Sequence, residues 1–255
     1  MVRMPGTFAA VAAVSLIALG AELFAEEGHP HWSYGGATGP AKWAGLEKEF
    51  SACGVGKTQS PIDIRDAAVK PGDLPAIGFD YKPSPLKIVD NGHTVQISYA
   101  PGSSITANGR RYELVQFHFH KPSEEKVNGK SYAMVAHLVH KDADSKLAVV
   151  AVLLASGAEN PLIKTLWTNL PKEKEKEVEA GSVTINAADL LPKDRAYYTF
   201  AGSLTTPPCS EGVTWFVLKH PTSISGGEVS RFGKLYPMNA RPTQPLNGRE
   251  IRGSR

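Results

Sequence analysis

Polarity along the chain breaks into short runs. "LKIVDNGHTVQISYA", "YELVQFHFH", "YAMVAHLVH", "LAVVAVLLASG" and "VTWFVLKH" set Val, Ile, Tyr and Phe, often at alternate positions, between Gly, Pro and Asn punctuation. Side chains two apart share a face of an extended chain, so such runs predict strands. Helical signals are fewer. "NPLIKTLWTNL" opens at Asn160 with Pro161 in the first turn and apolar residues at 162, 163, 166 and 170, and "GGEVSRFGKLY" offers a shorter helix. The charged run "KEKEKEVEA", Lys172 to Ala180, predicts a solvated helix or loop. With no internal repeat and no long linker, the reading is mainly β (α+β). It is a single domain around a large twisted, mostly antiparallel central β-sheet with a few peripheral short helices.

The first two dozen residues stand apart. Arg3 precedes the apolar run "FAAVAAVSLIAL", Phe8 to Leu19, and small residues follow at Gly20, Ala21 and Ala25. The run is too short to span a bilayer and has the form of an export signal over residues 1–25, cleaved after Gly20, Ala21 or Ala25. Residues 26–255 are then the folded domain, periplasmic or secreted. No Cys at the cleavage region offers a lipid site, so no membrane anchor is expected. Hydrophobic residues at 42% and charged residues at 21% suit a soluble globular chain, and a formal charge of +3 is too weak to call for a nucleic-acid partner. The two cysteines, Cys53 and Cys209, either pair or stand as separate buried thiols. A bridge between them closes a loop of about 155 residues.

Four of the eight histidines fall within residues 115–140. In "FHFH", alternation turns His118 and His120 to one face and Phe117 and Phe119 to the other. The loop formers of "KPSEEKVNGKS" return the chain, so an antiparallel neighbour can bring His137 across from them while His140 faces away. Three crowded imidazoles lose solvation and repel when protonated, whereas neutral nitrogens around a divalent cation form a stable site. Three His ligands leave zinc a fourth position for water, whose pKa falls to about 7. Val139 and Val149 offer an apolar wall beside it. His93, in the turn "DNGH", with an ordinary pKa near 6.5, is the titratable group best placed to carry a proton away.

The ordered segments "HWSYGG", "QSPIDI", "DNGHTVQ", "QFHFH", "SEE", "AHLVH", "SLTTPPCSEGVTW" and "NARPTQPL" cover nearly all of residues 26–255. On them the chain resembles the α-class carbonic anhydrases in their exported bacterial form. The resemblance implies Zn2+ held by His118, His120 and His137, and reversible hydration of carbon dioxide to bicarbonate by zinc-bound hydroxide, with esterase activity as a side reaction. It implies that Thr205 accepts a hydrogen bond from that hydroxide, that Glu124 holds Thr205, and that His93 is the proton shuttle. Tyr34, Asn91, Gln96 and Thr206 would line the water path, and Val139, Val149, Leu204 and Trp215 the substrate pocket. Gln116 would buttress His118, and the Asn239 carbonyl His120. The resemblance also implies a Cys53–Cys209 disulfide and cis prolines at Pro61 and Pro208. A homodimer is compatible with it.

One position departs from the pattern. Many members of that family carry Glu two residues before the third ligand, and this chain has Val135. His137 is then expected to lack its usual orienting carboxylate and to hold zinc more weakly, unless another group substitutes. Two rival readings remain. In a cupin-type metal protein Glu124 would join the two histidines of "HFHKPSE" as a ligand. In a non-catalytic binding module the scaffold would serve without the reaction.

Overall fold

Backbone pairing joins thirteen strands into one wide sheet, beside a small three-stranded one, and alternating side chains give the wide sheet a separate core on each face. The computed structural model describes Met1 and residues 31–255, so the run from Phe8 to Leu19 and the three candidate cleavage points lie outside the described residues. Among the described residues, ten of the wide sheet's thirteen strands follow one another edge to edge: Val178–Ile185, Ser84–Asp90, Val95–Ser98, Arg110–His120, Met134–Lys141, Leu147–Ser156, Glu211–Leu218, Tyr197–Ser203, Ile251–Gly253 and Val69–Pro71. Along this path only two neighbouring pairs are parallel, Leu147–Ser156 with Glu211–Leu218 and Ile251–Gly253 with Val69–Pro71. The sheet is therefore mixed but mostly antiparallel, as its alternating runs predict.

Leu147–Ser156 shows how alternation divides the core. Ala148, Val150, Val152 and Leu154 pack on one face with Phe117, Phe119 and Leu138, and Val149, Ala151 and Leu153 pack on the other with Val135, Trp215 and Val217. Each fully buried Val, Leu or Phe contributes about 1.5–3 kcal/mol. Both predicted helices close over the first face. Pro161–Thr168 buries Leu162, Ile163, Leu166 and Trp167, and its N-cap Asn160 accepts from the Leu162 and Ile163 amides. Gly226–Leu235 starts on a capping box between Ser225 and Glu228 and sends Phe232 against Trp167.

The charged run is not helical. After a loop it enters the strand Val178–Ile185, which pairs with Ser84–Asp90 at the end of the path. Val178 and Ala180 supply enough pairing register for this, and charges on an outer strand discourage further strand addition. Cys53 and Cys209 are bridged, with Cα atoms 5.0 Å apart, beside Trp43. Ser60–Pro61 and Pro207–Pro208 are cis, as the resemblance implies, and so is Lys121–Pro122. Among the described residues no helix is long and apolar enough to cross a membrane.

Candidate metal centre

Strand register assembles the histidines. Met134–Lys141 runs antiparallel to Arg110–His120 with His137 directly opposite His118, and His120 is two residues further on the same face. One nitrogen from each of the three rings lies within 4.8 Å of the other two. His140 faces away into the first core, where its Nε2 meets the Tyr81 hydroxyl at 2.9 Å.

Acceptors behind the rings set which nitrogen faces inward. The Gln116 Oε1 lies 2.8 Å from His118 Nδ1, and the Asn239 carbonyl lies 2.8 Å from His120 Nδ1. Both Glu125 oxygens approach His137 Nε2, at 3.0 and 3.2 Å. Each acceptor takes an N–H, which leaves His118 Nε2, His120 Nε2 and His137 Nδ1 as bare donors toward the common centre. His120 Nε2 is buried without a hydrogen-bond partner, a costly state for a polar atom unless something binds there. Burial pushes His118 down to about 3 and His120 well below its ordinary value, helped by the neighbouring rings, so both are neutral. Burial also pulls His137 down, but the charge and hydrogen bond of Glu125, together with Glu124, outweigh it and raise its pKa. Two neutral imidazoles, one with a partnerless inward nitrogen, and a third ring whose nitrogen joins them fit a divalent metal, and a three-nitrogen set suits the open coordination of zinc.

Glu124 is beside the cluster and outside the ligand-distance group. Its Oε1 accepts from the Arg241 amide at 2.7 Å, and the Thr205 hydroxyl also stabilises its charge. Its Oε2 is 3.5 Å from His120 Nε2 and completes no hydrogen bond of its own. Burial pushes the carboxyl up to about 7, with Glu125 adding to the shift and His137, Thr205 and Arg241 opposing it.

A cleft of about 130 Å³ opens onto His118 and His120 and is lined by Tyr34, Asn91, His93, Gln96, Gln116 and Thr206, together with Trp32 and Thr94. Asn91 Oδ1 accepts from the amides of His93 and Thr94 at 3.1 and 2.9 Å, which fixes the turn that carries His93. The predicted pocket valines lie elsewhere than in this cleft. Val139, Val149 and Trp215 form a row across three adjacent strands, and Leu204 packs against the same apolar cluster. The Trp215 ring is 4.9 Å from that of His137, so the apolar row reaches the histidine cluster.

Residues 38–255 match the family model of eukaryotic-type carbonic anhydrases. The chain belongs to that family. It is 43% identical to a carbonic anhydrase of Neisseria gonorrhoeae over 98% of this chain and 99% of that one. It superposes on the α-carbonic anhydrase of Thermovibrio ammonificans, solved with the inhibitor sulfanilamide, with a TM-score of 0.84 at 41% identity, covering 87% of this chain and 98% of that one. It is also 33% identical to dioscorin dioA3 of Dioscorea japonica over 85% of this chain and 83% of that one. The protein is thus an enzyme of the carbonic anhydrase family, whose members are metalloenzymes acting on carbon dioxide and bicarbonate. The cupin reading does not survive, and the non-catalytic reading gives way to an enzyme.

One expectation changes in this carbonic anhydrase. Val135 is fully buried in the apolar cluster, yet His137 does not lack a carboxylate, because Glu125 reaches it from the preceding loop. The premise for weak metal retention is removed. The surroundings of His93 lower its pKa from the ordinary imidazole value. Its ring lies flat on Trp32 at 3.6 Å with His31 edge-on at 4.6 Å, and burial, then His31 and Lys174, push its pKa down to about 4. Trp32, His31 and Glu125 were missed by sequence reasoning. Only the doubled Glu of "SEE" and the aromatic "HW" hinted at them.

Proposed function

We propose that this carbonic anhydrase is a zinc enzyme hydrating carbon dioxide reversibly to bicarbonate and a proton, with His118, His120 and His137 as the metal ligands. The observation that carries the reading is the buried, partnerless His120 Nε2 in a cluster whose outward nitrogens are already engaged. Bound zinc supplies a water activated to react as hydroxide near neutral pH. With the Thr205 hydroxyl donating its hydrogen bond to Glu124, the Thr205 oxygen would be left to accept from the attacking water and so orient it toward the carbon. Val139, Val149, Leu204 and Trp215 give an uncharged, apolar substrate a surface without hydrogen-bond demands.

His93 receives the released proton across water held among Tyr34, Asn91, Gln96 and Thr206. In the stacked position its pKa of about 4 makes it a poor resting place for that proton, so it serves as a relay toward solvent. The Cys53–Cys209 bridge supports an oxidising location, which together with the N-terminal run favours export to the periplasm or beyond. Esterase activity follows from the same nucleophile.

Metal analysis tests this reading. One zinc per chain is expected to survive gel filtration of the zinc-loaded protein and to be lost in His118→Ala. Equal zinc content in the two proteins, or preferential retention of iron or manganese, would overturn it.

A further inference from the structure

We infer that Glu125 is the positioning residue for His137, a carboxylate supplied from the Ser123–Glu125 loop in place of one on the histidine's own strand. The inference rests on the proposed metal site and deepens it. Glu125 is 0% exposed and His137 1%, and the two carboxylate oxygens straddle the ring Nε2 at 3.0 and 3.2 Å. An ionised carboxylate only accepts, so this contact places the ring hydrogen on Nε2 and presents Nδ1 inward, 3.9 Å from Glu124 Oε2. His137 is the one hydrogen-bond donor to the Glu125 carboxylate among the described residues.

The backbone that carries Glu125 is fastened on both sides. The Glu125 carbonyl accepts from the Ser123 hydroxyl at 2.7 Å, which in turn accepts from the Tyr132 amide at 2.8 Å. The next residue, Lys126, donates to the Ile62 carbonyl and pairs with Asp63 in a small parallel ladder. A side chain on such a support has little freedom to leave its partner, as an orienting group requires.

Val135 completes the exchange. It precedes His137 by two residues on the same strand face, lies opposite His120 and Leu153, and fills the cluster with Ile62 and Ile64. A glutamate at 135 with Glu125 retained would compete for the same Nε2–H and bury a further negative charge beside Glu124. The two positions are thus alternatives, and this chain uses the loop. Removing Glu125 alone leaves His137 free to change tautomer, whereas moving the carboxylate to 135 restores its acceptor.

The test uses the full protein, metal-free and zinc-loaded. Zinc release to a chelator is measured for wild type, E125Q and E125Q/V135E, and the His137 ring tautomer is read by 15N NMR in the metal-free forms. Wild type is expected to show an Nε2–H ring. E125Q is expected to lose zinc about 10 to 100-fold faster and to mix tautomers, with E125Q/V135E regaining at least tenfold. Wild-type release rates in E125Q, or an Nδ1–H ring in wild type, overturn the inference. If wild type takes up no zinc, the metal reading fails, and the tautomer in metal-free wild type decides the Glu125 contact by itself. The same measurement decides it if E125Q does not fold.

Discussion

His93 rests face to face on Trp32, with ring centroids 3.6 Å apart and planes 5° from parallel. Covering an imidazole with indole denies water to its charged form, which is the first cause of a pKa near 4. Trp32→Ala is therefore expected to raise the His93 midpoint toward its ordinary 6.5 in an NMR titration. The sign for stability follows from linkage. A depressed histidine contributes above its unfolded pKa and loses that contribution as pH falls through about 4, so the variant is expected to lose less stability on acidification. A midpoint unmoved by the substitution would place the cause with His31 and Lys174 instead.

In the proposed mechanism Glu124 reaches the nucleophile through Thr205, whose hydroxyl hydrogen-bonds the Glu124 carboxylate. Thr205→Ala is expected to lower carbon dioxide hydration about 10 to 100-fold while zinc content stays unchanged, because only orientation is lost. Thr205→Ser, which keeps the hydroxyl, is expected to recover most of the rate. Stopped-flow turnover of Thr205→Ala equal to wild type would contradict the role.

The histidine cluster was legible because strand periodicity is a strict geometric rule. His118 and His120 share a face whatever the tertiary context, and the loop before His137 invites an antiparallel return. Glu125 was not legible in the same way. Loop residues have no fixed period, so "SEE" does not say which glutamate turns toward Arg241 and Thr205 and which toward His137, and a cis Lys121–Pro122 bond lies just upstream. The surroundings of the His93 ring are hidden in the sequence for a related reason. Its turn was readable from "DNGH", but the stacking partner Trp32 lies some sixty residues earlier, at a distance only the fold closes.

Gly202 sits where the strand Tyr197–Ser203 passes under Trp215. A Cβ there would lie 2.6 Å from Trp215 Cδ1 and closer still to the Ser60 hydroxyl, which bonds the Ser203 amide. Gly202→Ala is expected to destabilise the protein by about 1–3 kcal/mol through overpacking, measured by urea unfolding. A neutral result would show that the Ser60 and Trp215 contacts yield easily.

The Cys53–Cys209 bridge joins the N-terminal segment to the loop that holds Thr205, since the Cys209 amide donates to the Thr206 carbonyl at 2.8 Å. Replacing both cysteines with serine is expected to cost about 2–4 kcal/mol in denaturant unfolding, because the bridge closes 156 residues of chain. Hydration activity should fall as well, through a loosened Thr205. Unchanged stability in the double variant would mean the bridge restrains little of the unfolded chain.

Stopped-flow hydration of carbon dioxide by the zinc-loaded protein and by His118→Ala tests the central claim most directly. The account predicts rapid hydration by the first, abolished by removing the metal and reduced at least a thousandfold in the second, on the order expected when a metal-activated nucleophile is lost. Hydration that survives both the chelator and the loss of His118 would contradict it.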